Sequence, residues 1–156
     1  MNFVSPTKGV LSLEKVFSDI MAFVASEPNA DYRLIIGSDS QTRDDQTFVT
    51  AIIIHRVGKG ARYYYRRQHS RAMHSLRQKI FYETSLSLGV GSRMAELLSA
   101  HGQTDLNVEI HVDVGPTGST RELIREVVGM VVGSGFEVHV KPDSYGASKV
   151  ADKYTK

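Results

Sequence analysis

The stretch Tyr32-Arg33-Leu34-Ile35-Ile36-Gly37-Ser38-Asp39-Ser40-Gln41 decides how the chain is read. Its first six residues make a short, almost wholly apolar strand of the kind buried on both faces. The run ends in a polar tetrapeptide with a carboxylate in its middle. In open α/β sheets, ligands gather at the carboxyl ends of the strands, so Asp39 stands where a site is expected. By itself, Asp39 reads equally well as a turn residue opening the next loop.

Downstream, Arg43-Asp44-Asp45-Gln46 is turn chemistry, and Thr47 to Val57 is a β-branched second strand. Gly58-Lys59-Gly60 marks a tight connection to a third strand over Ala61 to Gln68. Short turns between three strands predict an antiparallel meander. From Ser75 to Ser99 the period becomes helical, with Leu76, Ile80, Ser87, Met94 and Leu98 on one face. Gly89 and Gly91 in that helix mark a break or a close packing site. Asn107 to Val114 alternates as a fourth strand. Ser119-Thr120-Arg121-Glu122 is a capping box, opening a helix through Val132. Phe136 to Lys141 is a fifth strand, and Ser144 to Lys156 a final helix.

Upstream, Ser12 caps a first helix carrying Leu13, Val16, Phe17, Ile20 and Val24, ended by Glu27-Pro28-Asn29. The expectation is one domain over 1–156, with a helical extension (1–31) ahead of a core (32–156). That core is a mixed five-stranded sheet: a meander of three strands, then two strands parallel to the first, flanked by helices.

Composition narrows the function. The 156 residues contain no cysteine, which excludes disulfide scaffolds, cysteine-ligated zinc and thiol catalysis. No apolar run approaches the roughly 20 residues of a membrane span, and MNFVSPTKGV lacks the pattern of a signal peptide. A cytoplasmic protein without membrane association is expected, and a homo-oligomer is compatible with the sequence.

Carboxylates carry the chemistry. Asp39 ends the first strand, Asp113 the fourth, Glu83 borders the inward stripe of the second helix, and Asp152 follows an apolar pair in the last. Acids gathered at one point repel one another unless cations neutralise them. Mg²⁺ or Mn²⁺ prefers oxygen ligands, and a pair of such ions can clamp a phosphodiester during in-line displacement. Asp143, beside Pro142, is a rival for the last position but reads well as a helix cap. His111, two residues before Asp113, is an auxiliary ligand or proton-shuttle candidate; a half-exposed sheet face is its plainer reading, shared with His139.

Charge is unevenly spread. Residues 46–82 hold Arg56, Lys59, Arg62, Arg66, Arg67, Arg71, Arg77 and Lys79 and no acid, leaving eleven basic residues against seventeen acids elsewhere. His55, His69, His74, Tyr63, Tyr64 and Tyr65 lie among them. Arg and Lys neutralise phosphates and tyrosines stack on bases, so Arg62, Arg66, Arg67, Arg71, Arg77, Lys79 and Tyr64 are nucleic-acid-binding candidates.

The order strand-Asp, meander, helix-Glu, strand-Asp, crossover, strand, helix-Asp resembles the ribonuclease H-like superfamily. Ile36-Gly37-Ser38-Asp39-Ser40-Gln41, Val112-Asp113-Val114-Gly115 and Ser148-Lys149-Val150-Ala151-Asp152 are similar to its YkuK-like family of uncharacterised bacterial proteins. The resemblance runs from about Tyr32 to the C-terminus. It implies a nuclease with two Mg²⁺ or Mn²⁺ ions and RNA, DNA or a hybrid as partner. Asp39 would bridge both ions, Glu83 and Asp113 complete one site, and Asp152 serve the other. The alternative is a catalytically idle nucleic-acid-binding or assembly module of the same fold. A third reading takes Asp113 to Thr120 as the phosphate turn of an actin-like ATPase, but such enzymes need two lobes and this chain supplies one.

Overall fold

A computed structural model describes residues 1–40, 47–71, 73, 75–103, 105–116, 118 and 120–144. The turn at 43–46, His74, Ser119 of the capping box, the final helix and Asp152 lie outside the described residues. Three helices and a seven-stranded sheet of order β2-β1-β5-β4-β3-β6-β7 make up the fold.

The expected core is present. Strands β3 (Tyr32–Ser40), β4 (Thr47–Arg56) and β5 (Gly60–His69) form an antiparallel meander. Strand β6 (Val108–His111) pairs parallel with β3, and β7 (Glu137–His139) parallel with β6. Eight successive residues of β4 are buried, which explains why it reads as a continuous apolar run.

The N-terminal extension is not only helical. Before helix α1 (Leu13–Ser26) the chain makes a hairpin of β1 (Asn2–Ser5) and β2 (Gly9–Ser12). It joins the sheet through β1 beside β5, with Val4 opposite Tyr65. These two strands raise the count from the expected five to seven. Each is only four residues long, too short for alternation to stand out. The signal present was Pro6-Thr7-Lys8-Gly9 between two small apolar pairs, with Gly9 at φ 75°, a conformation glycine adopts without steric cost.

One face of the sheet packs on the helices. Leu34, Ile36, Ile52, Ile54, Tyr64, Val108 and Ile110 form one core with Leu13, Val16, Phe17 and Ile20 of α1, Met94 and Leu98 of α2 (Leu76–Ala100), and Val127 and Val131 of α3 (Ile124–Gly133). Ser12 caps α1, its hydroxyl accepting from the Lys15 amide at 3.2 Å, and Ser75 caps α2 in the same way through Gln78. Gly91 lies so close to the sheet that a Cβ there would come within 3.1 Å of Ile110 Cδ1, so it is the close packing site and Gly89 is exposed. The helix expected from Ser119 begins later: Arg121–Leu123 is a single 3₁₀ turn leading into α3. Thr120 does not cap it with its side chain, and its hydroxyl instead accepts from the Gly115 amide at 3.2 Å.

Candidate active site

Helix α2 runs back along β3 and β6. Ser87 meets Ser38 near the end of β3, while Gly91, one turn later, lies on Val108 and Ile110. The contact at Ser87 is a buried hydroxyl chain, Ser87 to Ser38 at 2.8 Å and Ser38 to Thr50 at 2.9 Å, tying α2, β3 and β4 together. One turn ahead of Ser87 stands Glu83. It belongs to the inward stripe of Ile80, Glu83, Thr84, Ser87, Val90, Gly91 and Met94 rather than to its border.

Glu83 is thus a buried carboxyl, only 6% exposed. Its Oε2 has no hydrogen-bond partner among the described residues. Burial pushes its pKa well above the ordinary glutamate range, and the negative charges of Asp39 and Asp113 push it further, with Lys79 opposing. Three of the four acids therefore converge electrostatically at the carboxyl ends of β3 and β6. Asp152 lies outside the described residues.

The flanking acids are half-buried. Asp39 Oδ1 accepts from the Ser40 amide at 2.9 Å. Asp113 follows β6, and the Lys141 ammonium contacts it at 2.7 Å. The Lys141 amide also donates to the Val114 carbonyl at 2.8 Å, and a Cβ on Gly115 would come within 3.1 Å of Lys141 Cβ. Glycine at 115 is what lets the turn that follows β7 and carries Lys141 close on the segment carrying Asp113. Asp143 is exposed, its amide donating to the Val140 carbonyl at 2.8 Å. A crevice lined by Ser38, Glu83, Thr84, Ser87, His111 and Asp113 holds two of the acids.

The basic residues fall into two groups. Arg62 lies 3.4 Å from Asp19 and stacks on Phe23, and Arg77 holds Glu126 of α3 through two hydrogen bonds. Arg56 is more buried than either, stacked 4.0 Å over Phe23 and bonded to the Tyr32 hydroxyl. Nearer the acids, Arg66 lies in register with Thr50 and Ser38, and Arg67 with Val49 and Asp39. Arg71 is exposed just beyond β5, and Lys79 is one turn from Glu83.

Tyr64 corrects the expectation. It is 1% exposed and donates its hydroxyl to Asp19, so it has no free face for a base; Tyr63 and Tyr65 are half-buried instead. Alternation along β5 turns Tyr64 into the helix-covered core.

His111 was expected on a half-exposed face, but it is 4% exposed. With His139 it converges on Glu109, an acid to which the sequence drew no attention because it looked like one polar step in an alternating strand. The parallel pairing of β6 and β7 brings the three together, and their separation in sequence hid it.

Among the described residues no helix is long and apolar enough to cross a membrane. A family model described as Ribonuclease H-like matches residues 15–156. The chain is 36% identical to "Uncharacterized protein YkuK" of Bacillus subtilis (strain 168) over 167 aligned positions, covering 99% of this chain and 96% of that protein. No solved structure shows significant similarity to it. By sheet order, by the matched family model and by this relative, the chain belongs to the Ribonuclease H-like family.

Proposed function

We propose that the protein is a divalent-metal-dependent nuclease in which Asp39, Glu83, Asp113 and Asp152 hold two Mg²⁺ or Mn²⁺ ions. The observation that carries this reading is Glu83: a buried carboxyl with an unpartnered oxygen, placed against two more carboxylates. A purely structural buried acid has donors around it. This one has like charges, an arrangement that a hard cation relieves. Bound there, the ions would supply Lewis acidity to the attacking and leaving oxygens of a phosphodiester.

The chain's own residues supply the rest. The hydroxyl chain of Ser87, Ser38 and Thr50 fixes α2 on the sheet, so Glu83 is held in place before any ligand arrives. Arg66, Arg67, Arg71 and Lys79 are the cations placed to draw a phosphate backbone toward the acids. Arg62 and Arg77 brace the fold against Asp19 and Glu126 and are weaker candidates for that task.

One observation favours the idle module instead. Lys141 already sits on Asp113, and a lysine in that position neutralises the cluster as a metal would. Cleavage of labelled single-stranded, duplex and hybrid substrates with Mn²⁺ or Mg²⁺, by wild type and Asp39→Asn, separates the two. Metal-stimulated cleavage lost in Asp39→Asn is the expected result. Absence of metal-stimulated cleavage on every substrate establishes the idle module.

A further inference from the structure

A second group of ligand-type side chains lies on the sheet face opposite the helices. Val108, Ile110 and Val138 point into the helix-covered core, so alternation sends Glu109, His111, Glu137 and His139 the other way. Parallel pairing sets Glu109 opposite Glu137 and His111 opposite His139.

The atoms converge. His111 Nε2 and His139 Nε2 each lie 3.2 Å from Glu109 Oε1, and His139 Nε2 is 2.7 Å from Glu137 Oε2. The two imidazole rings are 4.9 Å apart between centroids. Ligand atoms of Glu109, His111 and His139 all fall within 4.8 Å of one another. A tetrahedral ion with metal–ligand bonds of about 2.0–2.1 Å has ligand–ligand edges of about 3.3 Å, which matches the separation of each imidazole from Glu109.

Arg33 supports Glu109 from behind, Nε donating to Oε2 at 3.0 Å and Nη2 to Oε1 at 2.6 Å. Hydrogen-bonded carboxylates of this kind are usual behind metal ligands. Without an ion, Glu109 Oε1 accepts from Arg33 at 2.6 Å and from His111 at 3.2 Å, while His139 Nε2 donates to Glu137 Oε2 at 2.7 Å. An ion seated between the imidazoles would use their lone pairs instead.

We propose that Glu109, His111 and His139 form a binding site for a borderline divalent ion of the zinc class. Two imidazoles and a carboxylate select Zn²⁺ and its neighbours over Mg²⁺, so this centre differs in chemistry from the all-carboxylate cluster. It would staple the three-residue edge strand β7 to β6. Glu109 and His111 are buried, whereas His139 is a quarter exposed and offers the way in.

His111 also lines the crevice of Glu83, so the test must tell the two sites apart. The full chain, stripped with a chelator, is titrated with Zn²⁺ by calorimetry and with Co²⁺ by visible absorption. One Zn²⁺ per chain and a tetrahedral Co²⁺ spectrum are expected. Affinity should fall by at least about 100-fold in His139→Gln and in His111→Gln, a loss at or above that of a supporting residue. Glu83→Gln and Asp113→Asn should keep it. His139→Gln retains a hydrogen-bond donor on a partly exposed strand, so it decides the matter if the His111 variant fails to fold. The proposal is overturned by absence of Zn²⁺ binding to wild type, by unchanged binding in His139→Gln, or by binding lost in Glu83→Gln alone.

Discussion

Asp19 and Glu83 are both buried acids on helices that pack against the same sheet face, and they could hardly be treated more differently. Asp19 is surrounded by donors: the Lys8 ammonium, the Tyr64 hydroxyl and the Arg62 guanidinium. Burial works against its charge, but those bonds outweigh it and hold its pKa below the usual aspartate range. The same contact raises the Tyr64 phenol, burial being the larger cause. Glu83 has burial and like charges together, and an oxygen with no partner. Asp19 is satisfied within the fold, whereas Glu83 is left wanting, as groups at functional sites often are.

Substitution should separate the two most widely in activity. If the nuclease reading holds, Glu83→Gln lowers metal-stimulated cleavage by about 100-fold or more, the scale of losing one electrostatic contact to developing charge. Asp19→Asn should leave cleavage within about 3-fold of wild type, since it touches none of the acids. A comparable loss in both variants would erase the distinction. Gel assays at saturating Mn²⁺ measure it.

Stability should move the opposite way. Asp19→Ala strips an acceptor from a buried phenol and is expected to cost about 2–3 kcal/mol, most of it from the orphaned Tyr64 hydroxyl. Lys8 and Arg62 are each about half exposed and recover water, so they add little. For a chain of this length that is a melting temperature lower by roughly 4–12 °C. In chelator, Glu83→Gln should be as stable as wild type or more stable by about 1 kcal/mol, because a strained carboxyl is replaced by a neutral amide. Urea titration of both variants checks the sign.

Acid and base should expose the contrast again. Asp19 has a lowered pKa, so its contribution is complete above the unfolded value and lost as pH falls through the folded one. Glu109 behaves alike: burial opposes its charge, yet hydrogen bonds from His111 and Arg33 bring it to about 2. Its contribution disappears between the ordinary glutamate range and that value. Glu83 has a raised pKa, so the folded protein keeps a proton that the unfolded chain has released. Metal-free stability should therefore decline as pH rises above the ordinary glutamate range, and Glu83→Gln should flatten that decline. Thermal unfolding in chelator between pH 4 and 8, about the span in which carboxyl and imidazole groups titrate, reads the difference.

The smallest effect belongs to Lys141. Lys141→Ala removes a partly exposed ion pair worth about 0–1 kcal/mol and should tighten Mn²⁺ binding severalfold by freeing Asp113. Unchanged Mn²⁺ affinity would show that this lysine does not compete with the ion.

The meander was legible because β3 to β5 carry length and turn signals, and the two parallel additions because the apolar alternation around them, as over Val108 to Val114, runs on past the short paired strands. Asp39 and Asp113 drew attention because each stands at or just beyond the end of a strand. What was not legible depended on distance. That Glu83 is fully buried rather than bordering follows from the hydroxyl chain between Ser87 and Ser38, far apart in sequence. Glu109, His111 and His139 meet only after β6 and β7 pair, and Tyr64 belongs to the core because Asp19, an acid on α1, awaits its hydroxyl. The hairpin at 2–12 was missed for a different reason: strands this short give too few residues for any period.

That hairpin has a further consequence for how the molecule behaves among its own copies. Strand β5 is ten residues long and would otherwise present a row of unpaired amides and carbonyls to the next molecule. With β1 laid beside it and Phe3 fully sunk into the core, the sheet ends instead in four-residue β2 on one side and three-residue β7 on the other. Short borders recruit poorly. The first twelve residues thus act as a guard against edge-to-edge aggregation, and loss of the Phe3 side chain would loosen the guard before it unfolded the end of the sheet that carries Asp39.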